Sequence, residues 1–492
     1  MYYRLKDYYA LRGWDKFPYA LVDTRTGGAA FITAKQMQAL ELCDGNIDVS
    51  DIFIPDSLKE LIAQAAKNGT VEPCESGDSL KDFQHYKKYP CRYIRSAHWS
   101  ITGKCNYKCR HCYMSAPDVN AYEAPHEDIM KIIDMLAECG VMQVSLSGGE
   151  ALIRKDFFEI LDSLIGHGIK ITQIYSNGAL ITENVMREIE KCKIRPAFII
   201  SFDGVDGWHD WLRGVEGAQK LTDRAFALCR DMGFDTNASM SIHQGNKHTL
   251  RATINHLAAL GVKSIKTGYT AELGEWRTRG DYKTSGIKDI FQAYLDYLPY
   301  YYEDGMPIDI FFTSFFRASK HSPDKYNIIG YSEEYNPEKT LLCPLSRSSA
   351  NISPEGRVLM CGMMIGMKIE KLFHSMPAAH FKDCINFPEH LRLCSMTASD
   401  LMKANEECRL CEFNRHCYGG CRGAALIEDE NNLMGTLKSL CELYKGGWIK
   451  KIADTVRKAR PSAECPVKDL LLLHNGDYKI VCVNEKTIKT ED

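Results

Sequence analysis

The sequence lacks any long hydrophobic run. No window approaches the roughly 18 continuous apolar residues that a membrane helix needs. It also lacks an excess of either charge, with 61 Lys and Arg against 64 Asp and Glu, a formal net charge of -3 and no long basic stretch. A balanced surface creates no whole-molecule field that would gather nucleic acid or an anionic membrane. Residues 1 to 7 (Met-Tyr-Tyr-Arg-Leu-Lys-Asp) contain no apolar segment of signal-peptide length. The expectation is a soluble, cytoplasmic chain with no nucleic-acid partner and no membrane partner. Its 492 residues suggest about two to four domains at roughly 100 to 200 residues each.

What the chain does have is cysteine, 20 in all. Disulfides are rare in a reducing compartment, so thiols kept there in number usually bind metal or react. That excludes a disulfide-rich secreted scaffold, and 45% hydrophobic residues exclude a disordered chain. Cys43, Cys74, Cys91, Cys139, Cys192 and Cys229 are scattered and read as small hydrophobes. Cys105, Cys109 and Cys112 form a tight C-x3-C-x2-C cluster, and nine more lie between Cys343 and Cys441.

Between residues 97 and 267, apolar β-branched runs alternate with amphipathic helix patterns. The strand candidates are 97–102, 143–147, 169–175, 197–202, 237–242 and 263–267. In the helix candidate 125–139, Ile129, Ile132, Ile133 and Leu136 follow helical spacing, and Gly140 is the stop. Six βα units predict a parallel sheet closed into a partial (β/α)6 barrel, whose chemistry gathers at the carboxyl ends of the strands. The cysteine cluster, Ser147 to Glu150, Ser176 to Gly178 and Ser201 to Gly204 follow the first four strands. Before the barrel, two β-like runs (9–14 and 19–23) and two helices (34–43 and 56–68) suggest a small winged-helix-like module. An aromatic stripe over 285–305 (Phe291, Tyr294, Tyr297, Tyr301) reads as core. The expected domains are 1–80 for the module, 81–93 for a polar linker, 94–310 for the barrel, 311–450 for a cysteine-rich domain and 451–492 for a tail.

Three cysteines on one loop suit an iron–sulfur cluster that leaves one iron open. A zinc site would need a further ligand, such as His111. Gly148, Gly149 and Glu150 place bare backbone and a carboxylate at the barrel mouth, suited to an ammonium group. This pair of loops resembles the radical S-adenosylmethionine superfamily. The resemblance implies that Cys105, Cys109 and Cys112 hold a [4Fe-4S] cluster and that S-adenosyl-L-methionine chelates its open iron, with Glu150 on the amino group. Ser201, Asn177 and Arg213 would be neighbours of that cofactor. Reductive cleavage would yield a 5'-deoxyadenosyl radical that abstracts hydrogen from a C–H bond.

Cys343, Gly356 and Cys361, followed by Cys408-x2-Cys411-x5-Cys417-x3-Cys421 and Cys441, resemble the SPASM auxiliary-cluster extension; zinc in this run is the alternative. The resemblance assigns Cys343, Cys361 and Cys421 to one auxiliary [4Fe-4S] cluster and Cys408, Cys411, Cys417 and Cys441 to the other, three clusters in all. Cys384 or Cys394 would complete the first auxiliary cluster, or one of its irons stays open.

SPASM-type enzymes mostly modify peptides, and the amino-terminal module is similar to the leader-recognition element of ribosomal-peptide maturases. The implied partners are a precursor peptide bound through its leader and a reductant such as flavodoxin or ferredoxin. The implied activity is an oxidoreductase that installs an intramolecular thioether or carbon–carbon cross-link. A sulfatase-type formylglycine maturase is disfavoured, since Gly362 follows Cys361 where those relatives carry a catalytic Asp. A peptide epimerase and a non-catalytic iron–sulfur or zinc scaffold are the remaining readings.

Overall fold

The computed structural model describes all residues except 116–121, 271–273, 280–285, 331–335, 366–375, 378–379, 415, 430–431, 467–468, 475–476 and 483–492. The last ten residues of the expected tail therefore lie outside the described residues.

The amino-terminal region pairs β1 (Tyr2–Leu5) antiparallel with β5 (Val71–Cys74). Beside them, β2 (Tyr9–Gly13), β3 (Ala20–Asp23), β4 (Gly28–Phe31) and β6 (Lys87–Lys88) form a second sheet in the order β4-β3-β2-β6. Helices α1 (Ala34–Glu41) and α2 (Asp56–Lys67) complete the region. At α1 the Thr33 hydroxyl accepts from the Gln36 amide while the Gln36 side chain caps Thr33, which satisfies two end groups that a helix otherwise leaves open. Residues 81–93 are packed: the Gln84 amide donates to the carbonyls of Leu5, Lys6 and Tyr9, and Cys91 is buried.

The barrel strands are β7 (Ser96–Ser100), β8 (Gln143–Ser147), β9 (Lys170–Ser176), β10 (Ala197–Ser201), β11 (Thr236–Ile242) and β12 (Ser264–Tyr269). All are parallel neighbours in sequence order. Each matches a strand expected from the β-branched runs to within two residues at either end. The helices between them are α3 (His126–Glu138), α4 (Phe157–Gly166), α5 (Glu183–Lys191), α6 (Trp208–Arg213), α7 (Ala218–Asp231) and α8 (Leu250–Ala259), with α9 (Gly274–Arg279) and α10 (Ile287–Glu303) after β12. Ile129, Ile132, Ile133 and Leu136 of α3 are all buried, as 3.6-residue periodicity requires. The α10 stripe is core: Tyr294 stacks on Phe312 at 4.4 Å between centroids, and its hydroxyl lies 2.7 Å from the Thr267 hydroxyl.

The parallel sheet extends beyond the six expected strands. β13 (Asp309–Phe312) pairs parallel with β12, and antiparallel β14 (Phe316–Ala318) and β15 (Tyr326–Ile328) follow it. At the opposite edge β16 (Ser349–Ile352) pairs parallel with β7. Both additions arise from long-range register, which helix and strand periodicity cannot report.

The amino-terminal region is latched to the amino ends of the barrel strands. Arg95 and Gln143 donate to the Thr26 carbonyl, and Lys170 donates to the Arg25 carbonyl. Among the described residues, no helix is long and apolar enough to cross a membrane.

Candidate active site

The loop after β7 and the loop after β8 are laced by backbone hydrogen bonds. The Gly149 amide donates to the Thr102 carbonyl at 2.8 Å, and the Glu150 amide to the Lys104 carbonyl at 2.9 Å. A Cβ at Gly148 would sit 2.5 Å from the Thr102 oxygen, and one at Gly149 would sit 2.4 Å from the Lys104 oxygen. Only glycine permits this approach, so the cysteine loop is held against the strand ends by the same residues that leave backbone bare at the mouth. The Thr102 hydroxyl and the Lys104 ammonium both bind Glu123, at 2.8 and 2.9 Å, which closes the loop from the other side.

Cys105, Cys109 and Cys112 line one cavity of about 580 Å³ together with Gly148, Gly149, Asn177, Ser201 and Arg213. Sequence-predicted residues of four separate loops thus meet in one space, whereas the predicted Glu150 is not among the residues that line it. Burial pushes the Cys105 thiol up to about 12 and raises Cys109 as well, although Arg213 acts in the opposite direction. Protonated in isolation, these thiols become ligands when a metal displaces the proton. Arg213 is positioned for that: its Nη1 lies 3.8 Å from Cys109 Sγ while its Nε donates to Asp203 Oδ2 at 2.6 Å. Burial opposes ionisation of Asp203, but the Arg213 guanidinium and His209 hold its carboxyl well below the usual range. Arg213 therefore faces a cysteine of the loop as well as the shared cavity.

Glu150 is buried and bridges two loops. Its carboxylate accepts from the Asn177 amide at 2.8 Å, the Ser176 hydroxyl at 3.1 Å and the Leu152 amide at 3.2 Å. Burial raises its pKa to about 7, against the pull of those donors. His111, inside the cysteine loop, is pushed down to about 3 by burial and is neutral. The Tyr107 hydroxyl and His111 Nδ1 both belong to residues lining the cavity and are buried without a hydrogen-bond partner.

The residues present fit an iron–sulfur cluster with a polar organic ligand. Three thiols share one wall, glycine backbone forms another, and buried polar atoms await partners. Among the described residues no three metal-binding side chains converge on one point; a four-iron cube offers each cysteine its own iron, so its ligands need not do so.

Motif reading missed the lumen. His98 lies between Ser145 and Ser147, at 2.7 and 3.1 Å, and burial lowers its pKa to about 4. Tyr175, Ser239, Ser241, Lys266 and Tyr269 also line the cavity. The signal available was strand alternation, as in Ser264 and Lys266 on either side of the buried Ile265.

The later cysteines occupy two neighbourhoods. Cys361, with Gly362 and Met363, lines the barrel cavity itself, and Cys421 and Cys343 are near enough for their charges to act on Cys361. Cys408, Cys411, Cys417 and Cys441 line one pocket with Leu401, Phe413 and Leu440. Between the groups stands Arg422, fully buried, which donates to the carbonyls of Gly419, Gly420, Leu433 and Gly435. Cys394 donates to the Ser346 carbonyl at 3.1 Å and feels the charge of Cys343. Cys384 packs instead in the main barrel core.

A parallel partial barrel with three cysteines and a Gly-Gly-Glu loop on its carboxyl face is the framework of an enzyme that uses an iron–sulfur cluster with S-adenosylmethionine. Residues 99–257 match the Radical SAM superfamily. Over 364 residues, 73% of each protein, it is 24% identical to the antilisterial bacteriocin subtilosin biosynthesis protein AlbA of Bacillus subtilis (strain 168). It is 23% identical to the sporulation killing factor maturation protein SkfB of the same organism over 267 residues, 53% of this chain and 58% of SkfB. In fold it resembles Streptococcus suis SuiB bound to the precursor peptide SuiA, with a TM-score of 0.64 at 14% identity over 90% of this chain and all of SuiB.

Proposed function

We propose that this radical SAM enzyme is a peptide maturase. It abstracts a hydrogen atom from a residue of a precursor peptide and forms an intramolecular thioether or carbon–carbon cross-link. The observation that carries this reading is the shared cavity, in which the loop of Cys105, Cys109 and Cys112 and the later residue Cys361 face the same 580 Å³ space. A cluster held at Cys361 would offer a substrate radical formed there a route for its surplus electron. The names of AlbA and SkfB, both peptide-biosynthesis or maturation proteins, and the SuiB complex with its precursor support the same reading.

When bound, a [4Fe-4S] cluster with S-adenosyl-L-methionine supplies a 5'-deoxyadenosyl radical for hydrogen abstraction. Cys105, Cys109 and Cys112 would hold that cluster, with Arg213 beside Cys109. Glu150 would bind the methionyl ammonium, with Gly148 and Gly149 allowing close approach and Asn177 and Ser201 on the neighbouring strand ends. Cys343, Cys361 and Cys421 would hold one auxiliary cluster, with Cys394 as the available fourth thiol. Cys408, Cys411, Cys417 and Cys441 would hold the other, and the buried Arg422 cation would offset their thiolate charge. Forming the cross-link would remove two hydrogens from the peptide, one as an atom taken up by the deoxyadenosyl group that the bound cofactor would supply and one as a proton, its electron being accepted by clusters that the later cysteines would hold.

The amino-terminal region fits a winged-helix-like leader module. Among the described residues its edge strand β4 pairs only with β3, so an extended leader can add to the other edge. The precursor and a flavodoxin- or ferredoxin-type reductant are the proposed partners. Gly362 after Cys361 disfavours the formylglycine alternative. The test is anaerobic reconstitution: about twelve irons per chain, 5'-deoxyadenosine on reduction, and a precursor lighter by two hydrogens. Zinc in place of iron, without 5'-deoxyadenosine, would refute the reading.

A further inference from the structure

One row of side chains crosses the lumen through consecutive strand pairs. Ser201 of β10 is in register with Ser239 of β11, Ser239 with Lys266 of β12, Lys266 with Phe311 of β13, and Phe311 with Arg317 of β14. Lys266, Phe311 and Arg317 line a second lumen space of about 560 Å³, and Lys266 also lines the cysteine cavity, so the two spaces are joined at this side chain. Both cations are exposed to the lumen. The Lys266 ammonium lies 5.5 Å from the Phe311 ring centroid. Neither cation forms an ion pair with a described residue. The one carboxylate among the described residues lining this second space, Asp309, is engaged elsewhere, accepting from the Ser319 hydroxyl at 3.0 Å and the Lys320 amide at 2.9 Å.

Two cations in one row on either side of an aromatic ring, with no carboxylate paired to them among the described residues, offer charged donors to an anion. We infer that Lys266 and Arg317 form a carboxylate subsite, which seats an Asp or Glu side chain or the carboxyl terminus of the substrate peptide near the residue to be modified. The inference rests on the peptide reading above. Ser201 and Lys266 are two strands apart, roughly 10 Å at about 4.8 Å per strand, a span that an extended peptide covers in about three residues. The recognised carboxylate is therefore within a few positions of the reacting one.

The test uses the reconstituted full chain and three probes, Ac-Gly-Glu-Gly-NH2, Ac-Gly-Gln-Gly-NH2 and the free acid Ac-Gly-Gly-Gly, with Ac-Gly-Lys-Gly-NH2 added for the charge-reversed variant. By calorimetry or ligand-observed NMR, at least one carboxylate probe should bind about tenfold or more tighter than the glutamine probe. Tighter binding of the glutamate probe assigns a side chain, and tighter binding of the free acid assigns the terminus. Lys266→Gln and Arg317→Gln should each reduce the preference, Arg317→Lys should retain part of it, and Lys266→Glu should favour Ac-Gly-Lys-Gly-NH2. Iron content and circular dichroism report whether each variant folds. Equal or undetectable binding of all three probes, or a preference that survives in the doubly neutralised variant, would overturn the subsite. A wild-type enzyme that forms 5'-deoxyadenosine but changes neither the mass nor the stereochemistry of the precursor would break the peptide reading and leave the probe preference standing.

Discussion

The two cysteine regions differ in what surrounds the sulfur. Cys105, Cys109 and Cys112 hang on one loop at the mouth of a wide polar cavity, with Arg213, Ser201 and Asn177 around them. Cys408, Cys411, Cys417 and Cys441 come from two chain segments and line a pocket walled by Leu401, Phe413, Leu440 and Tyr444. A cluster in the first setting can meet an organic ligand. One in the second is screened by apolar side chains and suits electron transfer. Cys361 stands between these cases, because it belongs to the later set yet faces the barrel cavity.

The comparison breaks most sharply at the first loop. Changing Cys105, Cys109 and Cys112 together to Ala should abolish 5'-deoxyadenosine formation while iron falls from about twelve to about eight per chain. Loss of all iron would show that the two regions do not bind independently. Arg422→Met is next. It removes the donor to four carbonyls and the buried cation beside the later cysteines, so it should cost about 3 to 5 kcal/mol. Thermal melting and iron analysis should show the later region losing metal while the first loop keeps its own.

Glu150 gives a smaller, pH-dependent contrast. With a pKa near 7 it is mostly protonated at pH 6 and ionised at pH 8, and an ammonium ligand prefers the ionised form. S-adenosylmethionine affinity should therefore rise about tenfold from pH 6 to pH 8, and Glu150→Gln should weaken binding and flatten that rise. Calorimetry across this range checks both. The least effect belongs to Cys192→Ser. Cys192 lies outside both regions and is only half-buried, so stability should change by no more than about 0.5 kcal/mol and iron content should not change.

Much of the barrel was legible from periodicity, because the alternation of β-branched runs with 3.6-residue stripes is a local property. The loops after β7 and β8 were legible for a different reason: glycines and cysteines at fixed spacing have few other uses. Four of the six scattered cysteines are the buried packing residues expected, while Cys74 and Cys192 are half-buried. Cys43, Cys91, Cys139 and Cys229 are buried, and Cys91 donates to the Cys139 carbonyl at 3.2 Å. The lumen was not legible. His98, Lys266 and Arg317 sit in ordinary strand segments, where alternation separates two faces but does not bring residues of different strands into one lumen. Nor could spacing distinguish Cys384 from Cys394, which lie ten residues apart on neighbouring helices but in different cores.

By itself the sequence determined the repeating βα order, the two sets of cysteines and the chemistry they suit, since these depend on residue type and short spacing. Only the tertiary structure decided that β16 joins β7, that Cys361 faces the first cysteine loop, that Arg213 spans Asp203 and Cys109, and that Lys266 and Arg317 share one row. Each of those joins residues far apart in the chain or on separate strands, and their meeting is set by strand register and core packing, which no local window contains.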